Sequence, residues 1–156
     1  MPDWSSHLPR LGALVLSAEM WPADEMTAER LRVKIGQPVY RLRRLRLADS
    51  EPLALETSCI TFIGCDRLLE SDLERESLYQ LLATTFDIPP LEAEQELEAD
   101  LAGEEESRLL DVPVGSPVLR TRRVTTTRRN QPVEYATSVY RGDKYRFYTR
   151  MVRDQS

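Results

Sequence analysis

The sequence predicts an α+β domain: an antiparallel β-sheet with helices packed on one face, built from two related strand-helix-hairpin halves. Three observations predict it. Apolar and polar residues alternate at a period of two over Pro38–Ala48 and again from Leu53 to Ile60, with a polar break at Asp49–Glu51 between them, the pattern of a β-hairpin. Short helical patterns interrupt the strand patterns. The order of elements also repeats: Leu31–Leu45 reads LRVKIGQPVYRLRRL, and Leu110–Val124, 79 positions on, reads LDVPVGSPVLRTRRV. Both carry Gly-x-Pro-Val followed by x-Arg-x-Arg-Arg. Their return strands match as well, Pro52-Leu53 with Ser58 against Pro132-Val133 with Ser138, at an offset of 80, so the second turn is one residue longer.

In chain order, residues 1–10 are polar and proline-punctuated and read as a leader or linker remnant, leaving 11–156 as one domain. Leu11–Trp21 is apolar and reads as a strand. Asp24 is suited to cap a short helix carrying Met26, Arg30 and Leu31, and Gly36 closes that region before the first hairpin. Phe62–Arg67 reads as a loop and Leu68–Leu73 as a turn or short helix. Ser77 opens a helix with Leu78, Leu81, Leu82 and Phe86 at helical spacing, stopped by Pro89-Pro90. Leu91–Ala102 alternates glutamates with apolar residues as a half-exposed strand on which Glu96 has the option of pointing inward. Glu104–Leu110 is a helix with acids in its first turn, as the helix dipole favours. Val118–Thr127 and Val133–Arg141 form a second hairpin around Asn130-Gln131, and Lys144–Val152 is expected to be a last strand.

Composition narrows the function classes. The 156 residues carry a net charge of −5, with 30% charged and 41% apolar residues, ordinary for a globular domain with a real core. No apolar run approaches the roughly 18 residues a membrane span needs, and no signal peptide is evident, so a reducing cytoplasm and no membrane partner are expected. Cys59 and Cys65 lack a CxxC spacing, and Cys59, within a strand pattern, is expected to be a buried free thiol. With one histidine, His7, near the terminus, neither a metal site nor a histidine-based catalytic group is expected, and no cofactor is implied.

The first hairpin is unusual in its arginines. A three-residue turn at Asp49–Glu51 would pair Arg46 with Ala54 and Arg44 with Glu56; a two-residue turn would set Arg44 against Leu55, because a one-residue slip reverses the faces. The first register places Tyr40, Leu42, Arg44 and Arg46 on one face with Ala54, Glu56 and Ser58. In the second hairpin Glu134, Ala136, Ser138 and Tyr140 share a face, and the halves differ informatively: Arg44 and Arg46 correspond to Arg123 and Thr125, Ala54 to Glu134, and Glu56 to Ala136. Two arginines, two acids, a serine and a tyrosine suit binding of a small molecule, with guanidinium forks on phosphate or carboxylate and carboxylates on hydroxyls. Ser77 as a cap and Tyr79 in the following turn add donors near a helix N-terminus. Each residue also has a plainer reading: Arg44 and Arg46 as a solvated face that discourages edge pairing, Ser77 as a cap alone, Glu56 and Glu134 as cross-strand partners of arginines, Tyr79 and Tyr140 as packing residues.

Taken in order, RLRRLRLADSEPLALETS, ESLYQLL, EAEQELEADLAGEEESRLLDVPVGSPVLRTRRV and QPVEYATSVYRGDKYRF closely resemble the UTRA domain, the effector-sensing domain of HutC-type regulators in the GntR superfamily. The resemblance covers about Leu11 to Val152. It implies a chorismate-lyase-like fold with a ligand pocket on the sheet, usually in a homodimer. By motif match, Arg44, Arg46, Ser77 and Tyr79 correspond to residues that grip phosphate in the sugar-phosphate-sensing members. Glu56, Glu134 and Tyr140 correspond to those that contact the sugar. The chain departs from the family in having Asp49-Ser50 where Asp-Gly is common, and in the Thr61–Cys65 loop, expected to lie where a ligand would be covered. The family's winged helix-turn-helix has no counterpart in the ten residues before the first strand, so DNA contact is expected only through such a domain outside this chain. The resemblance thus implies a sensor of a small anionic metabolite, a phosphorylated sugar being the expected kind. The alternatives are a chorismate-lyase-like enzyme acting on a small carboxylate, and a nucleic-acid-binding module using Arg41–Arg46 and Arg120–Arg129.

Overall fold

The computed structural model describes residues 11–153, and His7 and the proposed leader lie outside the described residues. Six antiparallel strands form one sheet in the order β1-β2-β3-β6-β5-β4, with β1 Leu11–Pro22, β2 Pro38–Ala48, β3 Glu51–Ile60, β4 Glu92–Leu101, β5 Pro117–Thr127 and β6 Gln131–Arg141. Helices α1 Glu25–Leu31, α2 Leu78–Thr84 and α3 Glu104–Leu110 complete it, with a short 3-10 helix at Cys65–Glu70.

The internal repeat is a repeat of structure. Half one is β1-α1-β2-β3 and half two is β4-α3-β5-β6, meeting where β3 pairs β6 and Thr57 faces Thr137. Equivalent hydrogen bonds close the helix-to-strand junctions: Ala23 N donates to Gln37 O and Ala102 N to Ser116 O, both at 2.9 Å. Gly36 and Gly115 each sit at φ +86°, a conformation costly for any side chain, which explains the conserved spacing of Gly-x-Pro within the repeat. The two helices start differently. Asp24 caps α1 by accepting from Thr27 N at 2.8 Å, whereas α3 begins at Gly103 with no side-chain cap and has Glu104, Glu105 and Glu106 in its first turn.

The first hairpin has the expected register through a different turn. Arg44 pairs Glu56 and Arg46 pairs Ala54, but Ala48 pairs Glu51 across a two-residue turn, Asp49-Ser50, with φ of +51° and +65°. A bulge makes the difference: Leu47 pairs Pro52, Arg46 pairs Ala54, and Leu53 is the extra residue. The second hairpin does the same with one more loop residue. Thr127 pairs Gln131, Thr126 pairs Pro132, Thr125 pairs Glu134, and Val133 is extra. In both, the bulge follows a proline, which has no N–H to give to a regular ladder.

Helices α1 and α3 share one face, as expected for the repeated helices, but each lies over the other half's inner strand. Leu31 and Ala28 of α1 pack with Val39, Cys59 and Tyr135 of β6, and Leu110 of α3 packs with Leu45, Val118, Val139 and Leu55 of β3. Leu31 and Leu110 are fully buried, worth about 1.5–3 kcal/mol each. The one-face expectation stops there. The segment between the halves covers the opposite face, where Cys65, Leu68, Leu73, Leu78 and Leu82 pack on Tyr40, Leu42 and Ile60. Periodicity located α2 but carried no information on which side of the sheet it docks.

Two further expectations are corrected. Lys144–Val152 forms no strand: among the described residues it pairs with neither sheet edge, and Phe147, Tyr148, Met151 and Val152 are exposed. Strand β4 is exposed along its whole length, not half, and Glu96 is exposed opposite Arg122. No helix among the described residues is long and apolar enough to cross a membrane.

Candidate functional site

The face covered by α2 presents rows of side chains across β2, β3, β6 and β5. One row runs Arg44, Glu56, Ser138, Thr121; the next runs Leu42, Ser58, Ala136, Arg123; a third runs Tyr40, Ile60, Glu134, Thr125. Above them the segment from Leu73 to Tyr79 closes a cavity of about 450 Å³ whose wall includes Arg44, Arg46, Glu56, Ser77, Tyr79 and Glu134. Six of the seven residues expected from the sequence therefore line one space. The seventh, Tyr140, lines an adjoining cavity of about 460 Å³ that shares Arg46, Glu56 and Glu74. Tyr140 stacks on Tyr145 with ring centroids 4.0 Å apart.

Arg44 is only 7% exposed, which excludes the solvated-face reading for it. Its guanidinium lies 3.6 Å from Glu56 Oε2, while Arg46 Nε donates to the same oxygen at 3.0 Å. Burial, reinforced by the neighbouring Arg46 charge, pulls the Arg44 pKa down, so a second anion beside it would be favoured.

The other acid is deeper. Glu134 is 1% exposed, and its Oε1 accepts from Tyr79 Oη at 2.5 Å, from Thr125 Oγ1 at 3.3 Å and from Arg123 at 3.3 Å. Arg123 also lies over the Tyr79 ring, 5.5 Å from its centroid, and its Nε is buried without a hydrogen-bond partner among the described residues. Burial pushes the Tyr79 phenol up to about 12, and the adjacent Glu134 charge adds to it. For Arg123, burial opposes the charge, but Glu134 and Tyr79 outweigh it and raise its pKa. Tyr79 thereby ties α2 to the sheet through the acid of β6.

Ser77 caps α2, its Oγ accepting from Gln80 N at 3.4 Å, and stands at the rim of the cavity. Arg123 lines the cavity and Thr125 donates to Glu134 from beside it; the sequence reading singles out neither, although the repeat aligns them with Arg44 and Arg46. Glu74, Arg75 and Glu76 line the cover and had no signal in the sequence. The Thr61–Cys65 loop does not cover this cavity. Phe62 packs against Phe86, Ile63 is fully exposed, and the loop borders a different hollow with Ile88 and Thr127.

The arginine clusters do not form a single basic surface. Arg44, Arg46 and Arg123 face this cavity, whereas Arg43, Arg120 and Arg122 lie on the opposite face in ion pairs with Glu105, Glu106 and Glu98. Both cysteines are buried and free, and among the described residues no cluster of metal-ligating side chains occurs.

The sheet, its two-half topology and a walled polar cavity on one face define an effector-domain fold of the α+β, chorismate-lyase-like kind. The chain belongs to the UTRA domain family, whose model matches residues 10–146. It is 34% identical over 151 residues to the HTH-type transcriptional repressor NagR of Bacillus subtilis, covering 97% of this chain and 62% of that protein. It is 31% identical over 120 residues to the histidine utilization repressor of Pseudomonas putida, covering 77% of this chain and 47% of that protein. The chain thus spans about half to three-fifths of the length of these curated relatives. Among solved structures, the effector domain of PhnF from Mycobacterium smegmatis superimposes with a TM-score of 0.85 at 25% identity, over 96% of this chain and 91% of that one. The C-terminal domain of the histidine utilization repressor from Pseudomonas syringae gives 0.84 at 26%, over 92% and 100%.

Proposed function

We propose that this domain senses a small anionic metabolite, a phosphorylated sugar, in the cavity between the sheet and α2. One observation carries the reading: a buried arginine, Arg44, shares a single carboxylate with Arg46 on the floor of that cavity. The floor holds three guanidiniums, Arg44, Arg46 and Arg123, against two carboxylates, Glu56 and Glu134. The acids of the cover are engaged elsewhere, Glu74 accepting from Val15 N at 2.8 Å and Glu76 from Asp72 N at 3.0 Å. A phosphate takes up Arg44 and Arg46, with Ser77 and Tyr79 at its rim, and Glu56, Glu134 and Tyr140 accept from the polar body of the ligand. The names of the relatives, transcriptional repressors and regulators, support a non-enzymatic role.

In a regulator that joins this domain to a DNA-binding unit, the effector acts by binding two arrangements of a homodimer unequally and so shifting operator affinity. The open edge of β4, with Leu97 and Leu101 exposed, and the exposed Phe147, Tyr148, Met151 and Val152 supply apolar surface for a second copy.

Isothermal titration with a panel of sugar phosphates, and with the unphosphorylated sugars as controls, tests the reading. Arg44→Ala is expected to weaken the best binder by roughly 30-fold, the loss of charge-assisted hydrogen bonds worth about 2 kcal/mol. Equal affinity in wild type and variant overturns the phosphate grip. Chorismate is expected to yield no pyruvate; turnover would favour the lyase reading.

A further inference from the structure

The face of the sheet that carries α1 and α3 has a cavity of its own, about 320 Å³, walled by β1, α1, β2, β3 and β6. The duplication supplies an internal control for it. Arg41 in its wall is the counterpart of Arg120, both on the helix-covered face. Arg120 is held by two acids: its Nε donates to Asp100 at 2.9 Å and one terminal nitrogen to both oxygens of Glu106 at 2.9 and 3.1 Å. The positions equivalent to Asp100 and Glu106, 79 residues earlier, are Trp21 and Thr27. The first half has the arginine without either acid, and the cavity opens at that place.

Arg41 stacks over the Trp21 ring, 4.5 Å from its centroid, and has no ion pair or hydrogen bond with a described residue. A guanidinium stacked on an aromatic face keeps its N–H donors at its rim, in the geometry that forks a carboxylate. The remaining wall divides by chemistry. Thr57 and Thr137, paired at the junction of the two halves, offer hydroxyls, and Met26, Val39 and Tyr135 offer apolar and aromatic surface. The one acid in the wall, Asp24, already accepts from Thr27 N at 2.8 Å as the cap of α1.

We propose that this cavity is a second ligand site, separate from the effector cavity, for a small organic carboxylate with a planar apolar body. The carboxylate binds the free edge of Arg41, the body lies against Trp21, Met26 and Tyr135, and Thr57 and Thr137 accept or donate at the floor. Its volume is at the lower end for small-molecule sites and fits a single-ring acid. The acid-for-aromatic exchange makes the site unique to one half.

Benzoate is the probe, titrated into the full chain and followed by amide and indole resonances in two-dimensional NMR, with benzamide as its neutral isostere. The expected result is saturable shifts at Trp21, Thr27, Thr57 and Thr137 with benzoate alone, unchanged in Arg46→Ala. Arg41→Gln is expected to weaken binding roughly tenfold or more. Trp21→Asp gives Arg41 the kind of partner that Arg120 has, and at that partly exposed position it is expected to abolish binding in a folded chain. No saturable shift by about 10 mM, an equal response to benzamide, shifts on the Arg44 face instead, or full binding by Trp21→Asp each overturn the proposal.

Discussion

Glu56 stands directly across the ladder from Arg44, yet its carboxylate hydrogen-bonds the diagonal neighbour Arg46 at 3.0 Å and leaves Arg44 at 3.6 Å. The more buried guanidinium has the poorer partner, so Glu56 competes with any incoming anion chiefly at Arg46. Replacing it should therefore release the grip. Glu56→Gln is expected to raise affinity for inorganic phosphate by about three- to tenfold, of order 1 kcal/mol for a partly exposed pair, while weakening a hydroxyl-rich ligand. Calorimetric titration of the wild type and the variant with phosphate reads this, and a lower phosphate affinity in Glu56→Gln contradicts it.

The Arg123–Glu134 pair makes a stability prediction. Glu134 is almost fully buried, so Arg123→Ala leaves its carboxylate without the guanidinium that offsets its charge, at an expected cost of about 2–4 kcal/mol. Arg123→Met with Glu134→Leu together should recover most of that loss, because neither charge then remains. Urea unfolding of the single and double variants decides it; additive losses would mean that the pair is not coupled.

Tyr79 sets an alkaline limit. Its phenol is raised from 10.0 to about 12 in the folded chain, so folding favours the protonated form. The corresponding stability is present below about pH 10 and is lost as pH rises through about 12. Tyr79→Phe is expected to be less stable at pH 8 but to lose less further stability on going from pH 9 to 11, measured by denaturant midpoints. Parallel pH profiles for the two proteins would show that Tyr79 is not the group responsible.

Ser50 holds φ +65° in a two-residue turn of the kind that prefers glycine at this position. Ser50→Gly should stabilise the domain by about 0.5–1 kcal/mol with effector affinity unchanged. A fall in melting temperature would indicate that the serine makes a compensating contact.

Much of the fold and of the candidate site was legible because both rest on local patterns. Alternation put Arg44 and Arg46 on one face, the three-residue register set Glu56 beside them, and Ser77 marked the start of α2. Of the two registers open to the sequence, the three-residue one gives the observed pairing although its turn is not the observed one, because a two-residue turn plus the Leu53 bulge gives the same facing. What was not legible is long-range. Tyr79 meets Glu134 across 55 residues, and nothing in the period of either element says that α2 docks on the arginine side of the sheet. The alternating Lys144–Val152 segment shows the converse. A strand pattern becomes a strand only by pairing, and among the described residues this segment pairs with neither β1 nor β4, the two edges of the sheet.

The crossing of each helix onto the other half's inner strand makes the two halves interlocked, not merely adjacent. Cut at the junction, each half would expose the leucine that its partner's strand covers, so two separate half-chains could become stable only by finding each other. A symmetric pair of that kind would own every feature twice: two Arg41-type positions, two acids at one depth. Joining them in one polypeptide lifts that constraint. One face could then lose its acids around Arg41 while its twin kept them around Arg120, and the acids of the two return strands could settle at different depths. The asymmetry of the cavities is one that a single chain permits and a symmetric pair of half-chains forbids.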